Sequence, residues 1–209
     1  MARYHVSLLL LSLSILLMAG DAASCRRCSR TRAFIMSACS TTRYPKVCEQ
    51  ILSGYVNSTN LSHEELAQIA LKVSLTRARF AQAYLTKLAS KLKRSHHTSE
   101  YLAIGSCMEK IDDSVTQLRQ SIFELQKFNT EGGVDDFMWH MSNVVTWTST
   151  ALTDQNDCAE AFSGGRRGKS IKALVSMKVN DVSKVTSVAL ALVNRFVLRH
   201  RFARGTHMP

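Results

Sequence analysis

Cys39-Ser-Thr-Thr-Arg-Tyr44-Pro45-Lys-Val-Cys48 is the stretch from which the fold reads outward. Its two cysteines are separated by eight residues and enclose a Tyr-Pro pair. Proline presets φ for a turn or for the first position of a helix, so this spacing suits a small disulfide loop that staples a short helical hairpin. A disulfide here requires an oxidising compartment, and the residues before it agree. Arg3 supplies a positive start, and residues 6–19 form a leucine-dominated apolar run. Gly20, Ala22, Ala23 and Ser24 then supply small residues. This is the layout of a secretory signal peptide. The apolar run, roughly 14 residues, is shorter than the roughly 20 needed to span a bilayer. Residues 1–23 are therefore expected to be removed, with cleavage between Ala22 and Ser24, leaving about 185 residues. No later segment is apolar enough to span a membrane. Two sequons, Asn57-Ser-Thr59 and Asn60-Leu-Ser62, fit N-glycosylation of an exported chain in a polar stretch between helices.

Breakers are scarce: two prolines, Pro45 and Pro209, and nine glycines in 209 residues. Such a chain favours long helices. Four segments carry apolar residues at three- and four-residue steps, over residues 62–93, 99–128, 135–162 and 170–200. The first opens on Ser62-His-Glu-Glu65, a capping-box pattern. Its stripe includes Leu66, Ile69, Ala70, Val73, Ala81, Leu85 and Leu88, and that of the second runs from Ile104 through Cys107, Ile111 and Leu118 to Leu125. The third is expected to break near Thr153. Its Met138, Trp139, Met141 and Trp147 are read with the core. The fourth includes Val179, Val182, Val185, Val188, Leu192 and Phe196. Short polar connections force consecutive helices antiparallel. The expected fold is all-α: an up-down-up-down four-helix bundle over residues 62–200, preceded by a helical hairpin over residues 32–56.

Of six cysteines, Cys39 and Cys48 form the local pair, and antiparallel neighbours can bring Cys107 of the second long helix to Cys158 of the third. Closing about 50 residues removes a few kcal/mol of unfolded-state entropy. Cys25 and Cys28 have the spacing of a redox motif, but no strand-helix unit surrounds them, so a local bridge or another thiol partner is the better reading.

The net charge is +11 and the sequence pI about 9.7. A charge of this size suits an acidic surface, such as acidic wall polysaccharide (pectin), a membrane or nucleic acid, and export disfavours the last. Catalytic patterns fail on inspection. Ser163-Gly-Gly-Arg-Arg-Gly168-Lys169-Ser170 lacks the first glycine and the preceding strand of a phosphate-binding loop and reads as a basic linker. No zinc spacing and no nucleophile elbow occur, and no cofactor is expected. Glu109, Asp112 and Asp113 form an acidic cluster on the second helix; Glu109 and Asp113, four apart, share a face. A helix surface offers no cleft for acid-base chemistry, so this cluster is either a solvated face or a contact face for a protein.

Taken in order, several elements resemble the plant invertase and pectin methylesterase inhibitor family. They are Phe34-Ile35 before Cys39, the Thr42-x-Tyr44-Pro45-x-x-Cys48 turn, Cys107-x-Glu109 followed by Asp113, the block from Val145 through Trp147 to Thr153, Cys158, and Ser187-Val-Ala-Leu-Ala-Leu-Val-Asn194. The resemblance runs from about Arg32 to Phe196. It implies an inhibitor domain over residues 32–200, disulfides Cys39–Cys48 and Cys107–Cys158, and a non-catalytic apoplastic protein that covers an enzyme's pectin cleft one to one. It also implies contact residues Glu109 and Asp113 after the third family cysteine and Glu160 after the fourth. The chain departs from the family in carrying Asp157 where threonine usually precedes the fourth cysteine. Ser106 likewise stands where aspartate often precedes the third. The Asp157 carboxylate would either repel an acidic enzyme site or find a basic partner. The Trp147–Thr153 block and the Ala189–Asn194 ending resemble the pectin methylesterase branch, and the Pro-Lys-Phe segment of invertase inhibitors is not visible. The expected target is pectin methylesterase in the cell wall, with invertase as the alternative. A third reading is a basic wall- or surface-binding helical protein without an enzyme target.

Overall fold

The computed structural model describes residues 28–56, 61–94, 98–127, 133–162 and 169–205. Residues 1–23, where a signal peptide is expected, Cys25, both sequon asparagines Asn57 and Asn60, His96-His97 and the basic linker 163–168 lie outside the described residues. The elements are α1 (residues 28–39), α2 (Pro45–Leu52), a 3-10 turn (Ser53–Tyr55), α3 (His63–Arg94), α4 (Thr98–Lys127), α5 (Val134–Glu160) and α6 (Lys169–Gly205). There is no strand among the described residues.

The turn closes as its residue types dictate. Thr42 donates both its backbone N–H and its hydroxyl to the Cys39 carbonyl, at 2.9 and 2.8 Å, which ends α1. Tyr44 caps α2 in a non-helical conformation, Pro45 takes the first helical position, and the Cys48 N–H reaches the Tyr44 carbonyl at 3.0 Å. Cys39 and Cys48 are disulfide-bonded with Cα atoms 5.5 Å apart. Ile35, Ala38, both half-cystines and Leu52 are buried in the main core, so the hairpin is part of the domain and not an appendage. It rests on α3 and α6. Arg195 of α6 ties it down by donating to the Ser37 carbonyl at 3.0 Å and to Thr41 Oγ1 at 2.9 Å.

The long helices pack in a ring in which α3 neighbours α4, α4 neighbours α5, α5 neighbours α6, and α6 returns to α3. The capping box forms at the entrance to α3. The Ser62 N–H donates to Glu65 Oε2 at 2.7 Å, and the Glu65 N–H to Ser62 Oγ at 3.1 Å, satisfying two otherwise orphaned donors. The expected stripes face inward: Leu66, Ala70, Leu85, Ile104, Ile111, Leu118, Val179, Val188 and Leu192 are all essentially inaccessible.

Two expectations fail. Helix α5 is unbroken at Thr153. The hydroxyls of Thr148, Thr150 and Thr153 donate back to the carbonyls of Val144, Thr146 and Ser149, so this run of weak helix formers satisfies its own polar groups without leaving the helix. Trp139 is not core: it is 67% exposed, because α5 presents Phe137 and Met141 inward and the residue between them points away.

The acidic α4–α5 face

Helices α4 and α5 are joined more heavily than any other pair. The Cys107–Cys158 disulfide, with Cα atoms 4.5 Å apart, links them across a separation of 51 residues. Deeper along the seam, Gln155 Nε2 donates to Ser114 Oγ at 2.6 Å, and the Thr148 and Ser121 hydroxyl oxygens lie 3.1 Å apart. At the far end Glu124 is buried between the two helices. It lies 2.9 Å from His140 Nδ1 and accepts from Asn143 Nδ2 at 3.0 Å, with Lys127 Nζ 3.5 Å away. Burial alone would raise the Glu124 pKa. The hydrogen bonds from Asn143 and His140, with the charge of Lys127, outweigh it and hold the carboxyl below its usual value. Each pair pins the register of α4 against α5, and a slip would leave buried polar groups unpaired.

The disulfide sets the carboxylates of interest. Glu109 lies two residues after Cys107 and Glu160 two after Cys158, and both are exposed. Asp113 and Asp157 are exposed as well, and Asp157 lies beside a cation that the sequence reading passed over, Lys110. Its Nζ donates to Asp154 Oδ1 at 3.2 Å and lies 3.7 Å from Asp157 Oδ2. The hydrogen bond that Lys110 donates to Asp154, then the charges of Asp154, Asp157 and Asp113, hold Lys110 above the ordinary lysine pKa against the opposing effect of burial. Asp157 therefore finds a basic partner within its own bundle. Asp112 turns the other way and accepts from Gln82 of α3 at 2.9 Å. Register could have revealed the bridge, since Lys110 lies three residues after Cys107 and Asp154 four before Cys158 on the antiparallel partner.

The patch is a ridge, not a cleft. Along the helix axis it spans about 12 Å. Grooves of about 470 and 500 Å³ run elsewhere, between α3 and α4 and between α3 and α6, and none of the four carboxylates lines either one. Among the described residues no cluster of three or more His, Cys, Asp or Glu side chains could hold a metal. No helix there is long and apolar enough to cross a membrane.

Charge is segregated by helix. Helix α4 carries five Asp/Glu and three Lys/Arg, and α5 carries five Asp/Glu and no Lys/Arg. Helix α3 carries seven Lys/Arg and two Glu, and α6 eight Lys/Arg and one Asp. Because α3 adjoins α6 and α4 adjoins α5, one side of the bundle is acidic and the other strongly basic.

The fold is a disulfide-stapled helical bundle with exposed carboxylates on its α4–α5 face. The chain belongs to the plant invertase/pectin methylesterase inhibitor family, whose sequence model matches residues 33–192. It is similar to pectinesterase inhibitor 9 of Arabidopsis thaliana, with 42% identity over 191 residues, 90% of this chain and 92% of that one. It is equally similar, at 42% identity over 168 residues, to a 21 kDa protein of Daucus carota, covering 80% of this chain and 86% of the relative. Among solved structures it resembles a mutant form of a pectin methylesterase inhibitor from Arabidopsis. The TM-score is 0.58 and the identity 18%, over 75% of this chain and 92% of that one, which carries the fold.

Proposed function

We propose that this protein is a secreted, non-catalytic inhibitor of pectin methylesterase that acts one to one in the cell wall. The observation that carries the reading is its 42% identity, along nine-tenths of the chain, to a relative named a pectinesterase inhibitor. The exposed carboxylates on the disulfide-linked α4–α5 pair support it. The α4–α5 ridge fills the enzyme's pectin groove. Glu109, Asp113 and Glu160 meet polar or basic groups on the rim, and Asp157, held toward Lys110, presents a partly neutralised carboxylate. Inhibition is steric: the polymer cannot reach the reacting groups. The disulfide lowers the ordering cost of presenting the ridge. Residues 1–23 direct export and are removed, and Asn57 and Asn60 are candidate glycan acceptors.

The test is a titration of the oxidised mature protein against a plant pectin methylesterase and a cell-wall invertase at mildly acidic pH. Saturable loss of methylesterase activity alone, near one equivalent, is the expected result. Loss of invertase activity alone moves the protein to the other branch of its family. Loss of neither across several isoforms refutes an inhibitory role and leaves a basic wall-binding protein.

A further inference from the structure

Most of the charge that makes this protein so basic lies away from the acidic ridge, on α3 and α6, and there it borders a groove. Along one stripe of α3, at three- and four-residue steps, lie Arg77, Phe80, Tyr84, Lys87, Lys91 and Arg94. Beside the first three, α6 contributes Lys178, Asp181 and Val182, and the groove between them encloses about 500 Å³. Phe80 is 70% exposed and Met177 62%, an unusual display of apolar side chains on a charged surface. Asp181 is the one carboxylate lining it, and Arg77 Nη1 pairs with it at 2.9 Å, so Lys178, with exposed Lys87 further along the stripe, sets the local sign.

We propose that the α3–α6 groove binds a linear polymer of carboxylated sugars, the form that pectin takes once its methyl esters are removed. A straight groove along two antiparallel helices suits an extended chain. Exposed Phe80 and half-buried Tyr84 offer ring faces for the C–H faces of sugar rings, and the cations flanking them meet carboxylates at intervals of about one helical turn. A fully esterified polymer lacks those carboxylates, so the site selects the product of the esterase over its substrate. On the functional reading above, from which the proposal takes the presence of this polymer, the inhibitor is held on de-esterified wall with its opposite face directed at the enzyme.

The experiment measures direct binding of the oxidised mature protein, with no enzyme present. The probes are de-esterified polygalacturonate, highly methyl-esterified pectin, poly-L-glutamate and vesicles containing anionic phospholipid. The expected result is salt-sensitive binding to polygalacturonate, at least about tenfold tighter than to the other three. Phe80→Ala should weaken polygalacturonate binding about three- to tenfold and leave polyglutamate binding unchanged. Lys87→Glu with Lys178→Glu should weaken it at least about tenfold and flatten the salt dependence. All three positions are solvent-exposed, and thermal unfolding checks that each variant folds. Absence of binding at low salt overturns the proposal. Equal affinity for polyglutamate with no effect of Phe80→Ala overturns it in favour of a diffuse charge effect, and preference for the vesicles overturns it in favour of a membrane surface. Because no esterase enters the assay, failure here leaves inhibition untouched, and failure to inhibit leaves this result standing.

Discussion

The α4–α5 pair and the α3–α6 pair are built from helices of similar length, yet they are held together differently. A disulfide, two buried hydroxyl or amide contacts and the Glu124 cluster join the acidic pair. The basic pair has apolar packing, one buried contact between Ser74 and Thr186, and the exposed Arg77–Asp181 bridge. An exposed bridge of that kind adds little stability. The difference suits two modes of recognition. A protein surface that must fit a groove gains from rigidity, because less is lost on ordering it. A polyanion is attracted at longer range and tolerates mobile side chains.

The sharpest way to break the comparison is to remove the staple. Cys107→Ser with Cys158→Ser should cost about 4 kcal/mol, and the same change at Cys39 and Cys48, which close only a short loop, about 3 kcal/mol. Denaturant midpoints for the two variants test the order. Inhibition should weaken in the first variant beyond what its lost stability explains, while polyanion binding should not.

Charge reversal probes the acidic face directly. Glu109→Lys with Asp113→Lys should abolish inhibition, a loss of about 3 kcal/mol or more in affinity, with the thermal midpoint nearly unchanged because both side chains are exposed. Unchanged inhibition by a folded double variant would remove this face from the mechanism.

Much of this was legible in the residues. Capping at Ser62, the inward stripes, the Tyr44-Pro45 turn and both cystine pairs depend on local spacing or on the antiparallel neighbour, and sequence displays both. The segregation of charge was not legible, because it depends on α6 closing the ring against α3. Ser74 and Thr186, which meet in the core, are 112 residues apart. The Lys110–Asp154 bridge was legible only through the register that Cys107 and Cys158 set, since Asp154 looks like one more surface carboxylate until that register places it at the seam. Thr153 misled because propensity scales count the residue and not the carbonyl its hydroxyl can reach.

The buried end of the acidic pair gives a pH dependence. Glu124 has a folded-state pKa below its usual 4.5, so the stability it adds is present above that value and is lost as pH falls through its folded pKa. Glu124→Ala should cost about 1–3 kcal/mol near neutrality by stranding Asn143 and His140, and should flatten the acid limb of the stability curve. At the hairpin, burial, then the charges of Arg195 and Arg199, lower the pKa of His63 below 6.5. Protonating it therefore opposes folding, and stability falls as pH drops below about 6.5. His63→Gln should remove that portion of the dependence, which chemical denaturation at several pH values resolves from the Glu124 portion at lower pH.

The smallest effect concerns Asp157. Asp157 lies 3.7 Å from Lys110 and is half exposed, whereas Asp154, nearer and mostly buried, retains the lysine without it. Asp157→Thr should therefore shift stability by no more than about 0.5 kcal/mol. Its effect on inhibition should also be slight, less than about threefold, because Lys110 already offsets the charge that is removed. Lys110→Met uncovers what the bridge conceals. With the cation gone, Asp113, Asp154 and Asp157 face one another unscreened, and Asp157→Thr in that background should raise stability where alone it does not. The double-mutant cycle, read from urea midpoints, reports a coupling that vanishes if Asp157 stands apart from Lys110 in solution.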